Sequence, residues 1–187
     1  MKQVAIFASG MGSNFEKLVD NQKLADVMTV HLLVCDNPTA TVIEKARSRN
    51  IPVLVFNPKE FSSKKEYETM ILEHVKNCDL LLLAGYMRVI SPYFLNKYSK
   101  PIVNLHPSLL PAYKGKDAIK QAFEAGEQMM GISVHYVNEE LDGGVVIAQT
   151  SLQRDSQESL DEITSRIHGL EHELFPRIVY QLLTKED

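Results

Sequence analysis

The stretch Val4-Ala-Ile-Phe-Ala8, continued by Ser9-Gly-Met-Gly-Ser-Asn14 and then by Phe15, Leu18 and Val19 at helical spacing, decides the fold class. A short run that is apolar throughout reads as a strand buried on both faces, as in a parallel sheet. The Gly-rich turn then feeds a helix, and the same unit recurs. Val30–Cys35 reads as a second strand, Ala40–Arg49 as a helix with Val42, Ile43 and Ala46 on one face, and Val53–Phe56 as a third strand. Tyr67, Ile71, Leu72 and Val75 recur at helical spacing before a fourth strand, Leu80–Ala84. Ser91–Lys97 reads as a short helix with Ser91 as its cap and Pro92 at its first position, and Ile102–His106 as a fifth strand. Alternating strands and helices predict an α/β fold that is Rossmann-like, with a mostly parallel central sheet, right-handed crossovers and flanking helices.

After residue 106 the pattern changes. A loop rich in Pro and Gly runs to Gly115, and a helix covers Ala118–Ala125. Ser133–Val137 and Val145–Ser151 read as a hairpin pair joined by the loop Asn138–Gly144. Ser159-Leu-Asp-Glu162 is a capping-box pattern opening a helix striped with Leu160, Ile163, Ile167, Leu170, Leu174, Ile178 and Leu182. Pro176 is expected to kink or divide that helix. With no repeat, linker or low-complexity stretch, a single domain over 1–187 is predicted.

Composition agrees. The 187 residues are 44% hydrophobic and 24% charged, which suits one globular domain and excludes disorder. The formal charge of −4 argues against a nucleic-acid partner but leaves room for a local anion site. Cys35 and Cys78 lie far apart in apolar runs and read as buried free thiols, so neither zinc nor a disulfide framework is expected. Met1-Lys-Gln leads straight into the first strand, and no apolar run approaches the roughly 20 residues that span a bilayer. No membrane association and a cytoplasmic location are therefore expected.

Three places carry chemistry. The turn Gly10-Met-Gly12-Ser-Asn14 leaves a strand and enters a helix, where free backbone N–H groups and the positive end of the dipole suit an anion such as phosphate. It lacks the third glycine of the dinucleotide fingerprint, since Phe15 stands there, although Asp36 sits where a ribose-binding acid would. In Val103-Asn-Leu-His106, strand alternation puts Asn104 and His106 on one face at the carboxyl end of a strand, where open α/β sheets bind ligands. In Glu139-Glu-Leu-Asp142-Gly-Gly144, the glycines shape a turn and Asp142 can either be solvated or be held against a histidine, fixing its tautomer.

Taken together, Asn104-x-His106-Pro-Ser-Leu-Leu-Pro111 with Gly115, Gly131-x-Ser-Val-His135 and Leu141-Asp-Gly-Gly144 resemble the signature of the folate-dependent formyltransferase superfamily. Ser9–Asn14, Ala84-Gly-Tyr-Met-Arg88, and Glu171-His172 with Phe175-Pro176 narrow the resemblance to the branch that formylates glycinamide ribonucleotide. It covers nearly the whole chain. The resemblance implies a formyltransferase of purine biosynthesis that moves the formyl group of 10-formyltetrahydrofolate to the amine of glycinamide ribonucleotide, without a metal. It implies catalytic roles for Asn104, His106 and Asp142, nucleotide contacts from Gly12, Ser13, Asn14 and Glu171, and a cis Leu110–Pro111 bond. Folate contacts are implied for Lys64, Met87, Arg88, Val89, Ile90, Asn104, Asn138, Glu139, Glu140, Leu141 and Asp142. Lys64 stands where some members carry Arg, keeping the charge but not the fork. The implied division is a nucleotide and phosphate half over about 1–100 and a catalytic and folate half over about 101–187. The partners are the two small molecules, with no nucleic acid and no membrane, and the protein a monomer or homodimer.

The residue chemistry points the same way. Formyl transfer between nitrogens passes through a tetrahedral intermediate, whose oxyanion needs a donor such as Asn104 or protonated His106. Asp142 suits proton acceptance or relay, and Ser108 is not needed as a nucleophile. A methionyl-tRNA formyltransferase would usually add a carboxyl-terminal domain and a basic surface, and a formyltetrahydrofolate deformylase an amino-terminal regulatory domain. A nucleotide-binding module without catalysis would explain Gly12 and Asp36 but not the Asn104, His106 and Asp142 set. An NAD-dependent oxidoreductase would need the full fingerprint that Phe15 interrupts.

Overall fold

Among residues 1–185, which the computed structural model describes, seven strands form one sheet in the order β3-β2-β1-β4-β5-β6-β7. The strands are β1 (Lys2–Phe7), β2 (Met28–Cys35), β3 (Val53–Val55), β4 (Leu80–Leu83), β5 (Ile102–His106), β6 (Met129–Tyr136) and β7 (Val146–Gln153). The first five are parallel; β6 and β7 are antiparallel to their neighbours. The helices are α1 (Ser13–Val19), α2 (Gln22–Ala25), α3 (Val42–Arg47), α4 (Lys64–Val75), α5 (Pro92–Lys97), α6 (Ala118–Glu124) and α7 (Leu160–Thr184). None of the described helices is long and apolar enough to cross a membrane.

Strand alternation splits the core in two. Val4, Ile6 and Ala8 join one apolar cluster with Phe15 and Leu18 of α1, Val42 and Ile43 of α3, and Ile163, Ile167 and Phe175 of α7. Ala5 and Phe7 join the other, with Tyr67 and Ile71 of α4 and Phe94 of α5. The apolar run Val4–Phe7 of β1 and the whole of β4 therefore pack on both faces, as a central parallel strand does. Because β1 lies between β2 and β4, the chain leaves the sheet in opposite directions there, and the crevice that binds ligands in such sheets opens at the carboxyl ends of these strands.

The structure departs from the expected elements at α2, at the start of β6 and along α7, and adds a single 3-10 turn over Pro58–Glu60. Helix α2 follows Asn21, whose side chain accepts from the Leu24 N–H at 3.1 Å. Strand β6 starts at Met129, four residues before Ser133, because Gly131 can pair closely with β7: a Cβ there would run into the Thr150 carbonyl and into Leu109. Helix α7 is not divided at Pro176. It continues for 25 residues, with Leu174, Phe175, Pro176, Ile178 and Val179 all buried, so packing offsets the roughly 3 kcal/mol that an interior proline costs. The capping box at Ser159 is formed in both directions, by Ser159 Oγ with the Glu162 N–H and by Glu162 Oε2 with the Ser159 N–H at 2.8 Å.

Candidate active site

The alternation in β5 buries Val103 and Leu105 in one apolar cluster and turns Asn104 and His106 to the other side. Pairing with β6 sets His135 opposite Asn104 and Ser133 opposite His106, and β7 adds Gln149 opposite Ser133. A polar row thus crosses three strands. Ser133 and Gln149 fasten the loop after β5. Ser133 Oγ donates to the Ser108 carbonyl at 2.7 Å and accepts the Leu110 N–H at 3.0 Å, while Gln149 Nε2 donates to the Leu110 carbonyl at 2.9 Å. Ser108 Oγ donates to the Ala112 carbonyl at 2.6 Å, a bracing role, and the Leu110–Pro111 bond is cis. The loop held this way returns over the strand end. It brings the Tyr113 carbonyl to His106 Nε2 at 2.8 Å and the Gly115 N–H to Asp142 Oδ2 at 2.8 Å.

Asp142 reaches the same spot from the loop after β6, in a left-handed conformation at φ 49°. Gly144 is obligatory beside it, since a Cβ there would overlap the Tyr136 carbonyl. The loop is braced by the Glu140 N–H on Asn138 Oδ1 at 2.9 Å and by Lys114 Nζ on Glu140 at 2.6 Å. Asp142 Oδ2 lies 3.5 Å from His106 Nδ1, and Oδ1 lies 3.6 Å from His135 Nε2 and 3.4 Å from Asn104 Nδ2. The three sequence-predicted catalytic side chains therefore converge, with His135 as a fourth member.

Hydrogen bonding assigns the protons. His135 Nδ1 faces the Tyr136 carbonyl at 2.9 Å, so that nitrogen carries the proton and Nε2 accepts from Asn104 Nδ2 at 3.1 Å. His106 Nε2 likewise donates to the Tyr113 carbonyl, leaving Nδ1 toward Asp142. Burial pushes the Asp142 carboxyl up, but His135 and His106, when a second proton places an N–H on the ring nitrogen that faces it, together with the Gly115 N–H, outweigh this and hold it below the ordinary carboxylate value. The Gly115 N–H, at 2.8 Å, is the shortest of those contacts. Asp142 is therefore a buried carboxylate kept ionised beside an imidazole.

Two further groups flank this cluster. At the first turn, Gly12 has φ 76° and no room for a side chain, because a Cβ would sit 2.5 Å from Val42. Asn14 Nδ2 donates to Glu171 Oε2 of α7 at 2.9 Å, joining two residues 157 positions apart. Burial raises the Glu171 carboxyl, and the Asn14 bond only partly offsets it. After β4, Met87 and Val89 are exposed while Ile90 is buried in the cluster that also holds Tyr86, Phe94 and Val137. Lys64 is the exposed first residue of α4, after the cap Ser63. Asp36 is not an open ribose acid: Ser9 Oγ binds one of its oxygens and Arg88 Nε the other, at 2.8 Å.

The sequence pattern of the formyl transferase family matches residues 2–179. The chain belongs to the formyl transferase family. Its sequence is 46% identical over 186 residues to the phosphoribosylglycinamide formyltransferase of Bacillus subtilis, covering 98% of this chain and 95% of that protein. The fold is similar to the crystal structure of glycinamide ribonucleotide transformylase 1 from Geobacillus kaustophilus, at 49% identity and a TM-score of 0.93, covering 98% and 99% of the two chains. It is also similar to phosphoribosylglycinamide formyltransferase from Bacillus halodurans, at 41% identity and a TM-score of 0.95, covering 100% and 97%.

In this formyl transferase, sequence reasoning missed three members of the polar cluster. The Tyr113 carbonyl and the Gly115 N–H are backbone groups, which no residue type announces. His135 had a signal: Gly131-x-Ser-Val-His135 puts Ser133 and His135 on one strand face. That His135 lies opposite Asn104 depends on the register between strands far apart in sequence.

Proposed function

We propose that this formyltransferase moves the formyl group of 10-formyltetrahydrofolate to the amine of glycinamide ribonucleotide, giving formylglycinamide ribonucleotide and tetrahydrofolate for purine synthesis. The observation that carries the reading is the meeting of Asn104, His106 and Asp142 within 3.4–3.5 Å contacts at the carboxyl end of β5. The chemistry follows from those contacts. The amine nitrogen attacks the formyl carbon, and the carbonyl oxygen gains negative charge in the tetrahedral intermediate. One Asn104 Nδ2 proton is held by only a 3.4 Å contact with Asp142, so turning it to the oxyanion gives up little. The proton lost by the amine passes to the Asp142–His106 pair and returns to N10 of the departing folate, so no net proton is lost.

The phosphate of the nucleotide is assigned to the backbone N–H groups of Gly12, Ser13 and Asn14, with Glu171 close by through Asn14. The folate is assigned to the side formed by Met87–Ile90 and the loop 138–142, where Met87, Val89 and Leu141 offer apolar surface to a flat ring. Asn138, Glu139 and Glu140 would present backbone groups to the pterin, and Lys64 and Arg88 would meet the acidic tail. The nucleotide half, about 1–100, thus lends Met87–Ile90 to the folate, and the catalytic half, about 101–187, lends Glu171 to the nucleotide. The deciding test is an absorbance assay of folate release by the pure protein, with mass spectrometry of the nucleotide. A gain of one formyl group that requires both substrates is expected. Folate release without nucleotide, by hydrolysis alone, would overturn the reading.

A further inference from the structure

Asp36, at the carboxyl side of β2, has no part in the reaction above, yet its side chain is only 4% exposed. A carboxylate buried this far persists only where charge and hydrogen bonds answer it. Ser9 Oγ donates to Oδ1 and also accepts the Met87 N–H at 2.9 Å, so Asp36 is tied to the segment after β4. Arg88 Nε donates to Oδ2 at 2.8 Å. Among the described residues this is the only hydrogen bond the Arg88 guanidinium makes, and the side chain is 45% exposed. Its two Nη groups are left over. Ile90, two residues after Arg88, is buried in the same apolar cluster as Tyr67 of α4. Lys64 lies one helical turn before Tyr67 on the same helix.

We propose that Asp36 is a positioning residue that fixes the Arg88 fork for a carboxylate on the tail of the folate donor. A guanidinium held at Nε cannot swing freely, and its Nη edge has the spacing of a carboxylate. Fixing it in advance removes the rotamer freedom that binding would otherwise cost. The inference rests on the folate assignment above.

Calorimetric titration and steady-state kinetics test it. The probes are a non-transferable folate analogue ending in glutamate and a matching analogue ending in an uncharged carboxamide. Asp36→Asn is expected to weaken the glutamate analogue about five- to twentyfold while the carboxamide Kd moves less than about twofold. With the natural donor the change lies in KM rather than kcat, and in an Arg88→Ala background Asp36→Asn adds almost nothing. Arg88→Lys leaves a positive charge beside Asp36 but loses the fork, so it reproduces the selective loss even if Asp36→Asn folds poorly. Equal weakening of both analogues, full additivity with Arg88→Ala, or a loss confined to the nucleotide substrate would overturn the inference. A wild-type protein that prefers the glutamate analogue yet never formylates the nucleotide would instead overturn the proposed reaction and leave Asp36 testable by binding alone. Wild-type binding indifferent to the tail would overturn the inference directly.

Discussion

In the proposed reaction, Asp142 concentrates the chemistry in one side chain. Asp142→Asn keeps the shape and the bond from the Gly115 N–H but removes the charge and the proton acceptor. The expected outcome is a fall in kcat of about 10²–10⁴ with KM for both substrates changed far less, read by steady-state kinetics. The same carboxyl links to stability. Its folded pKa lies below the unfolded value of about 3.9, so its contribution is complete above that value and fades as pH falls through the folded one. Glu171 has the opposite sign. Burial raises its folded pKa, so ionising it costs stability as pH rises above the unfolded value of about 4.3. Glu171→Gln should therefore raise Tm by about 1–4 °C at pH 7.5, with the gain gone near pH 4. It should also weaken binding of glycinamide ribonucleotide. Unchanged Tm at both pH values in scanning fluorimetry would contradict this account of Glu171.

At the scale of elements, two glycines hold the site together by what they lack. Gly131 lets β6 and β7 close and leaves space for Leu109, and Gly144 lets the loop after β6 pass over the Tyr136 carbonyl. Gly144→Ala should push the loop outward and move Asp142 from His106. Activity should drop at least about tenfold while the two cores stay intact, so a near-wild-type fold by circular dichroism with low kcat is expected. Wild-type turnover would mean the loop shifts without displacing Asp142. Gly12→Val is a poor probe of phosphate binding, because the new side chain would strike Val42 and strain the turn by itself.

For the whole molecule, the proposed reaction would bring the two substrates together over the carboxyl ends of β1, β4 and β5, with the nucleotide assigned to the first turn and α7 and the folate to Met87–Ile90 and residues 138–142. Hydrogen exchange should resolve this. A folate analogue should protect Met87–Ile90 and residues 138–142, and the nucleotide should protect Gly12–Asn14 and the part of α7 around Glu171. Identical protection maps for the two ligands would contradict separate anchors.

The alternation of short apolar runs with amphipathic stretches was enough to establish the parallel half of the sheet, because strands buried on both faces must be apolar at every position. Period-two alternation also placed Asn104 and His106 on one face, and the capping residues placed the last helix. Motif order singled out Asp142, Gly12 and Glu171 as candidates, and folding brings Asp142 to Asn104 and His106 and Glu171 to Asn14. What remained hidden depends on contacts between distant segments. The register of β6 against β5 chose His135 as Asn104's partner, the fastened loop after β5 supplied the Tyr113 carbonyl and the Gly115 N–H, and packing carried α7 through Pro176. Asp36 shows the difference most plainly. Its position after β2 suggested a ribose ligand, but folding supplied Ser9 and Arg88 as partners, and a carboxylate already paired on both oxygens serves a neighbour rather than a nucleotide.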